Sequence, residues 1–224
     1  MADSLVITID GPAGAGKSTV AKALAQKLKF FYMDTGAMYR ALTLKALRQG
    51  VNLENEDQLV KLAKDTHLDL ENTPQGVKVV LDGDDVSQEI RTVEVTNQTF
   101  YVARASSVRE ILVQWQRALG QKKNVVVEGR DAGTVIFPQA QYKFYLDANV
   151  EERAYRRIAE LKAKGHAIDE EKLKEEIKER DHKDFTRKVG PLKKAEGAIV
   201  IDSSGLSVQD VVEKILKHLD IKHG

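Results

Sequence analysis

The segment Gly11-Pro-Ala-Gly-Ala-Gly-Lys17-Ser18-Thr19 follows directly on the apolar run Leu5-Val-Ile-Thr-Ile9 and leads into a helix-forming run, Thr19-Val-Ala-Lys-Ala-Leu-Ala-Gln-Lys-Leu28. Gly11, Gly16, Lys17 and Ser18 stand where the pattern G-x-x-x-x-G-K-[ST] requires them. Strand, glycine loop and helix in that order make a narrow structural demand. The glycines let the backbone curl with its N–H groups inward, and the helix adds its positive N-terminal end. A phosphate chain fits such a cradle, here Gly11, Pro12, Ala13, Gly14, Ala15, Gly16, Lys17, Ser18 and Thr19. Lys17 would reach the β- and γ-phosphates, and the Ser18 hydroxyl would ligate Mg²⁺. The alternative, a glycine-rich turn with no ligand, does not account for the strand before it and the helix after it. A chain that binds a nucleoside triphosphate such as ATP is expected.

Charge narrows the partners. Across 224 residues, 35 Lys+Arg stand against 34 Asp+Glu, a formal net charge of +1. That balance argues against a nucleic-acid coat or a polybasic membrane anchor, though not against a locally basic cleft. With no cysteine in the sequence, disulfides, thiolate metal sites and cysteine nucleophiles are excluded. Met1-Ala-Asp-Ser-Leu5 lacks the basic and apolar regions of a signal peptide, and no apolar run approaches about 18 residues. A cytoplasmic chain is expected.

Short apolar runs alternate with helical patterns, the signature of parallel βα units. Strands are expected at Leu5–Ile9, Phe30–Met33, Asn124–Val127, Lys143–Leu146 and Ala198–Ile201, each continuous in apolar character rather than alternating, as for strands covered on both faces. Helices are expected over 18–28, 37–48, 92–103, 106–119, 150–164, 169–186 and 207–219, with Gly50 and Gly165 as C-terminal caps. One stretch breaks the rhythm. His67-Leu-Asp-Leu-Glu71 and Gly76-Val-Lys-Val-Val-Leu81, then Asp82-Gly83, read as antiparallel hairpins, so 65–92 is expected to be a small β-rich insertion.

Four further clusters bear on chemistry. Asp34-Thr35-Gly-Ala-Met-Tyr39-Arg40 follows the second strand, where ligands lie in an open parallel sheet; an ordinary helix N-cap is the alternative. Glu128-Gly-Arg130-Asp131 follows another strand, with Glu128 placed to polarise a metal-bound water. Arg130 and Asp131 there face a ligand or close the loop as an ion pair. Arg153, Arg156 and Arg157 share a helix face and could clamp a phosphoryl group from a lid, or pair as Glu152–Arg156 and Glu160–Lys164. Arg180, Asp184 and Arg187 form one stripe, either an exposed salt-bridge ladder or a ribose and phosphate holder.

Taken together, these segments resemble the nucleoside monophosphate kinases, specifically the bacterial cytidylate kinases. The likeness rests on Ile7-Thr-Ile-Asp-Gly-Pro-Ala-Gly-Ala-Gly-Lys-Ser18, Asp34-Thr-Gly-Ala-Met-Tyr-Arg40, Asp82-Gly-Asp-Asp-Val-Ser-Gln-Glu-Ile-Arg91, Val108-Arg-Glu110, Gly129-Arg-Asp-Ala-Gly-Thr-Val-Ile-Phe-Pro138, Glu151-Glu-Arg153 and Glu179-Arg-Asp181. The resemblance implies an α/β, three-layer P-loop fold with a five-stranded parallel sheet (1–64 and 93–224), a monophosphate-binding insertion (65–92) and a helical lid (about 150–167). It implies transfer of the ATP γ-phosphoryl to CMP or dCMP. By motif, Thr35, Arg109 and Asp131 would read cytosine, and Tyr39 would be a further substrate-binding residue. Arg40 and Arg130 would hold the acceptor phosphate, and Arg180 and Asp184 the pentose. Arg153 and Arg157 would act with Lys17 and Arg130 in transfer, and Arg187 would lie near the phosphates. Glu128 stands where many relatives carry aspartate, and Phe100 where some carry a base-contacting serine.

Other readings remain to be weighed. A kinase for UMP, AMP or shikimate shares the loop. A GTPase-like switch would want an Asn-Lys-x-Asp segment, which the chain lacks. The lysine-rich 172–194 stretch interleaves acids, so a solvated helix is expected there rather than a nucleic-acid surface. A monomer acting on small molecules, with no nucleic acid or membrane partner, is the expectation.

Overall fold

The computed structural model describes residues 4–73, 76–163, 165 and 168–220. Five strands form one parallel sheet: β1 (Val6–Asp10), β2 (Phe31–Asp34), β6 (Val125–Gly129), β7 (Tyr142–Asp147) and β8 (Ile199–Asp202), in the order β2-β6-β1-β7-β8. Every residue of β1, β2 and β6 is buried, so their unbroken apolar runs reflect cover on both faces. β8 departs from that expectation. It is an edge strand, and Val200 is 52% exposed.

On one face, α1 (Lys17–Leu28) and α8 (Val208–Leu216) pack on Ile7, Ile9, Tyr32, Val126, Phe144, Leu146 and Ile201. On the other lie α2 (Thr35–Arg48), α3 (Glu56–Lys64), α4 (Val93–Arg104) and α5 (Ser106–Gly120). The result is the expected three layers. Gly50 and Gly165 take positive φ (63° and 81°) just past helices, as cap positions require.

α3 is a helix the sequence reading lacks. Asn55 caps it by accepting from the Gln58 N–H (3.0 Å), Glu56 and Asp57 occupy its first turn, and Leu59, Leu62 and Ala63 bury at helical spacing. Those signals were present in the sequence, but the apolar face is only three residues long.

The 65–92 stretch does form antiparallel hairpins. β3 (Leu68–Thr73) pairs with β4 (Gly76–Leu81), which pairs with β5 (Asp84–Asp85) across Asp82-Gly83, both at positive φ (50° and 97°) as a two-residue hairpin turn demands. The buried residues of this sheet belong to the main core. Leu70, Val79, Leu81, Val86 and Ile90 join the cluster under α2, and Lys45 of α2 holds Asp82 at 2.7 Å. The hairpin also covers the sheet's β2 edge. The Asn72 side-chain amide accepts from the Tyr32 backbone N–H (2.8 Å) and donates to the Tyr32 carbonyl (3.1 Å).

α6 (Val150–Ala163) and α7 (Glu170–Thr186) pack on each other beside the loop after β1. The expected lid, about 150–167, extends at 164, 166 and 167 beyond the described residues, as does the expected Glu160–Lys164 pair.

Candidate active site

The carboxyl ends of β1, β2, β6, β7 and β8 open on one side, and the loop after β1 lies at their centre. Gly14 and Gly16 take φ of 80° and 86°, turning the chain into α1. Gly16, the N-cap residue, offers no side-chain cap. By contrast α2, α3, α4, α7 and α8 are each capped by an Asp, Asn, Thr or Ser side chain. No side chain of the N-cap residue takes the first N–H groups of α1, as is also true of α5 after Ala105. Lys17 lies in the loop with its Nζ donating to the Pro12 carbonyl at 2.6 Å. Burial, and Arg130 next, push its pKa down.

Beside the loop lies a carboxylate with two hydroxyls on it. Ser18 Oγ donates to Glu128 Oε2 at 2.8 Å, and Tyr32 Oη donates to Glu128 Oε1 at 2.5 Å. Burial, with Asp34 adding to it, raises the Glu128 pKa; burial and Glu128 raise that of Tyr32, which stays a donor. The Thr35 hydroxyl donates to the Glu128 carbonyl at 2.8 Å, so its proton is committed to the backbone.

Asp34 caps α2 by accepting from the Ala37 N–H (2.8 Å) and also holds Arg40 at 3.0 Å. The N-cap reading of that segment is thus met, with Arg40 held on the same carboxylate. After β6, residues Ala132–Ile136 form a π-turn. Asp10, at the end of β1, anchors it by accepting from the N–H groups of Ala132 (2.8 Å) and Gly133 (2.7 Å). This anchor, which sets the stance of Arg130 and Asp131, went unread in the sequence; a carboxylate ending a wholly buried strand was its signal.

Asp10 gives a measurable pH signature. Burial foremost pushes its pKa up to about 6 from the ordinary 3.8, against the pull of the two N–H groups. The folded chain thus holds this proton more tightly than the unfolded chain. The stabilisation is complete below the unfolded value and is lost as pH rises through about 6. Relative to Asp10→Asn, wild type should lose up to about 3 kcal/mol between about pH 4 and about pH 7 in urea unfolding. A flat difference would show that Asp10 titrates normally.

Arg130 and Asp131 do not pair with each other. Arg130 Nε donates to Asp184 Oδ2 on α7 (2.7 Å), and Asp131 is held by the Arg109 guanidinium of α5. Arg187 bridges the two acids, 3.7 Å from Asp131 and 3.9 Å from Asp184. One ladder of alternating charge thus runs Arg109–Asp131–Arg187–Asp184–Arg130. Although burial opposes it, Arg130 keeps the Asp184 carboxyl below its usual range. The Arg180 side chain is reached by water yet has protein on most sides. Desolvation, then Arg130, push its pKa down to about 10. Tyr39 Oη, Arg40 Nε, Arg109 Nε and Thr134 Oγ1 are buried without a hydrogen-bond partner. The Arg109 guanidinium stands 5.3 Å over the Tyr39 ring. Phe100, 36% exposed, instead faces a neighbouring cavity of about 490 Å³ with Arg104 and Lys183.

The three α6 arginines do not converge. Arg153 is buried, donating to the carbonyls of Ala148 (3.0 Å) and Ala13 (3.0 Å) and pairing with Asp181 of α7 at 2.6 Å. Arg156 pairs with Glu152 (2.9 Å), as its i, i+4 spacing predicts, and reaches the Ser203 carbonyl (2.6 Å). Arg157 points outward to Glu160 (2.6 Å). Helix spacing placed them on neighbouring positions, but the packing of α7 turns Arg153 inward.

A family model described as cytidylate kinase matches residues 7–221. The chain belongs to the cytidylate kinase family. It is 53% identical over 96% of its length to the cytidylate kinase of Desulforamulus reducens, covering 97% of that relative. It is 49% identical to that of Bacillus subtilis, over 99% of both chains. The cytidylate kinase of Geobacillus sp. (strain WCH70) is 50% identical with both chains covered completely. The shikimate kinase from Bacteroides thetaiotaomicron, 14% identical with a TM-score of 0.53 over 97% of this chain and 99% of its own, shares the fold. Membership of the cytidylate kinases carries with it ATP as phosphoryl donor and a nucleotide as acceptor. Among the described residues, no helix is long and apolar enough to cross a membrane.

Proposed function

We propose that this chain transfers the γ-phosphoryl of ATP to CMP and dCMP, giving CDP and dCDP. One observation carries the reading: the uncapped start of α1, with Lys17, opens on the same sheet edge as a charge ladder ending in a buried carboxylate–arginine pair, Asp131–Arg109. The first suits a triphosphate. The second suits cytosine, whose amino donor faces the acid while its ring and carbonyl acceptors face the arginine. Uracil turns an acceptor toward the acid and leaves buried polar groups mismatched, a cost of about 1–3 kcal/mol.

Residues 11–19 cradle the donor phosphates in this reading. Arg40 and Arg130 hold the acceptor phosphate, Arg180 and Asp184 the pentose, and Thr35, Tyr39 and Arg109 the base with Asp131. Arg187 exchanges partners between them. Arg153 and Arg157 reach the transferring group only if α6 moves relative to the loop, so the segment from 150 onward serves as lid, closing to exclude water. The 65–92 stretch is the monophosphate-binding insertion on the core made by 1–64 and 93–224. Ser18 Oγ and the Glu128 carboxylate are adjacent hard oxygen donors, a set that fits Mg²⁺ with retained waters. Bound there, Mg²⁺ would neutralise charge on the β- and γ-phosphates. No general base is required, because the acceptor phosphate is already anionic near neutral pH; the protein positions and neutralises. We place this activity in a cytoplasmic monomer acting on small molecules.

A panel of CMP, dCMP, UMP and AMP, coupled to ADP release with and without Mg²⁺, tests the assignment; CMP and dCMP should lead by kcat/KM. Asp131→Asn should lower the CMP-to-UMP ratio of kcat/KM about tenfold or more. An unchanged ratio would remove Asp131 from base reading.

A further inference from the structure

We propose that Tyr32 is a positioning residue for the donor half of the site: its hydroxyl fixes the Glu128 carboxylate so that the other oxygen aligns the Ser18 hydroxyl for a metal-bound triphosphate. The inference rests on the assignment of Ser18 to Mg²⁺. Tyr32 lies in register with Val126 on the neighbouring strand, so Glu128, two residues on, projects from the same face of the sheet. Each carboxylate oxygen takes one hydroxyl, at 2.5 Å from Tyr32 and 2.8 Å from Ser18. Both Tyr32 and Glu128 are buried, 6% and 4% exposed. A carboxylate held at one oxygen alone turns about its side-chain bonds; held at both, it presents Ser18 in one direction.

The phenol is fixed in turn. Its ring packs among the residues under α1, and its backbone N–H and carbonyl, on the outer side of an edge strand, are both taken by Asn72 of the hairpin. Hydrogen-bond partners placed this way behind a metal site commonly govern how well the metal is held. A purely structural role, satisfying a buried acid, makes a different forecast. Loss of the hydroxyl would then lower stability and affect metal-bound and metal-free nucleotide alike.

The measurement is Mn²⁺ capture by the ATP-loaded protein, read by electron paramagnetic resonance, beside calorimetric binding of metal-free ATP and of CMP. Tyr32→Phe should weaken Mn²⁺ capture about tenfold. Metal-free ATP and CMP should bind within about twofold of wild type. Equal losses with and without metal, or none, would overturn the proposal. Should Tyr32→Phe fail to fold, the exposed Asn72→Ala carries the test: a smaller loss, still confined to the metal-dependent part, supports the role, and its absence overturns it. Ser18→Ala separates the two levels of inference. If it leaves Mn²⁺ capture intact, the metal assignment fails. If it abolishes capture while Tyr32→Phe does not weaken it, only the positioning role fails.

Discussion

Lys17→Ala is expected to lower kcat for CMP phosphorylation by about 10²–10³-fold. The Lys17 ammonium sits on the Pro12 carbonyl, at 2.6 Å. On the proposed reading it would trade that carbonyl for the triphosphate and act most strongly where charge builds on the transferring phosphoryl. One charge-assisted hydrogen bond supplies about 1.5–3 kcal/mol of this, and its low-dielectric setting supplies the remainder. Thermal stability should not fall with the activity, because burial and Arg130 both disfavour the ammonium in the free chain. CMP affinity should stay within about twofold, since the acceptor side lies on other elements. Steady-state kinetics, calorimetry and thermal melts on one sample settle the point. A variant that turns over CMP at the wild-type rate would refute the phosphoryl-transfer role of the loop.

Gly11→Ala should be severely damaging for so small a substitution. Gly11 adopts φ of 151°, which L-residues avoid, and a Cβ there would run into the carbonyl oxygen of Leu146 on β7. That obstacle is backbone in a paired strand, not the end of a flexible side chain. Strain and overpacking each cost about 1–3 kcal/mol, so a loss of about 3 kcal/mol or more in urea unfolding is expected, with nucleotide binding lost alongside. Gly50→Ala provides the control. Gly50 also has positive φ, at 63°, but nothing lies within 4 Å of its would-be Cβ, so its loss should be only about 1–2 kcal/mol. Equal losses at the two positions would mean that β7 yields to the methyl group.

The strands were legible because β1, β2 and β6 are covered on both faces, which leaves mainly apolar runs too short for helices and bounded by turn residues. The hairpin was legible from alternation and from Asp82-Gly83. Partnerships across the fold were not. Arg130 and Asp184 are 54 residues apart, and nothing in the spacing of either says that α7 crosses the end of β6. Adjacency in sequence suggested Arg130–Asp131, whereas the π-turn held by Asp10 separates the two side chains. Arg153 lies in a charge-rich helix, the pattern of a solvated face, yet is buried between the loop after β1 and Asp181 of the next helix. Tyr32 reads as one more apolar residue in a strand; its hydroxyl acquires a role only through the neighbouring strand's Glu128.

The ladder from Arg109 to Arg130 sets how tightly this cleft can hold anything. Its carboxylates are paired with arginines, so on the proposed reading an anion binding Arg130 or Arg187 would compete with Asp184 or Asp131 for the guanidinium. The free energy of entry is then a difference between two sets of ion pairs, far smaller than either set alone. A departing product leaves by the reverse exchange, with a carboxylate at hand to replace each contact it gives up. On the proposed reading, modest affinity and rapid release would follow from the same pairing.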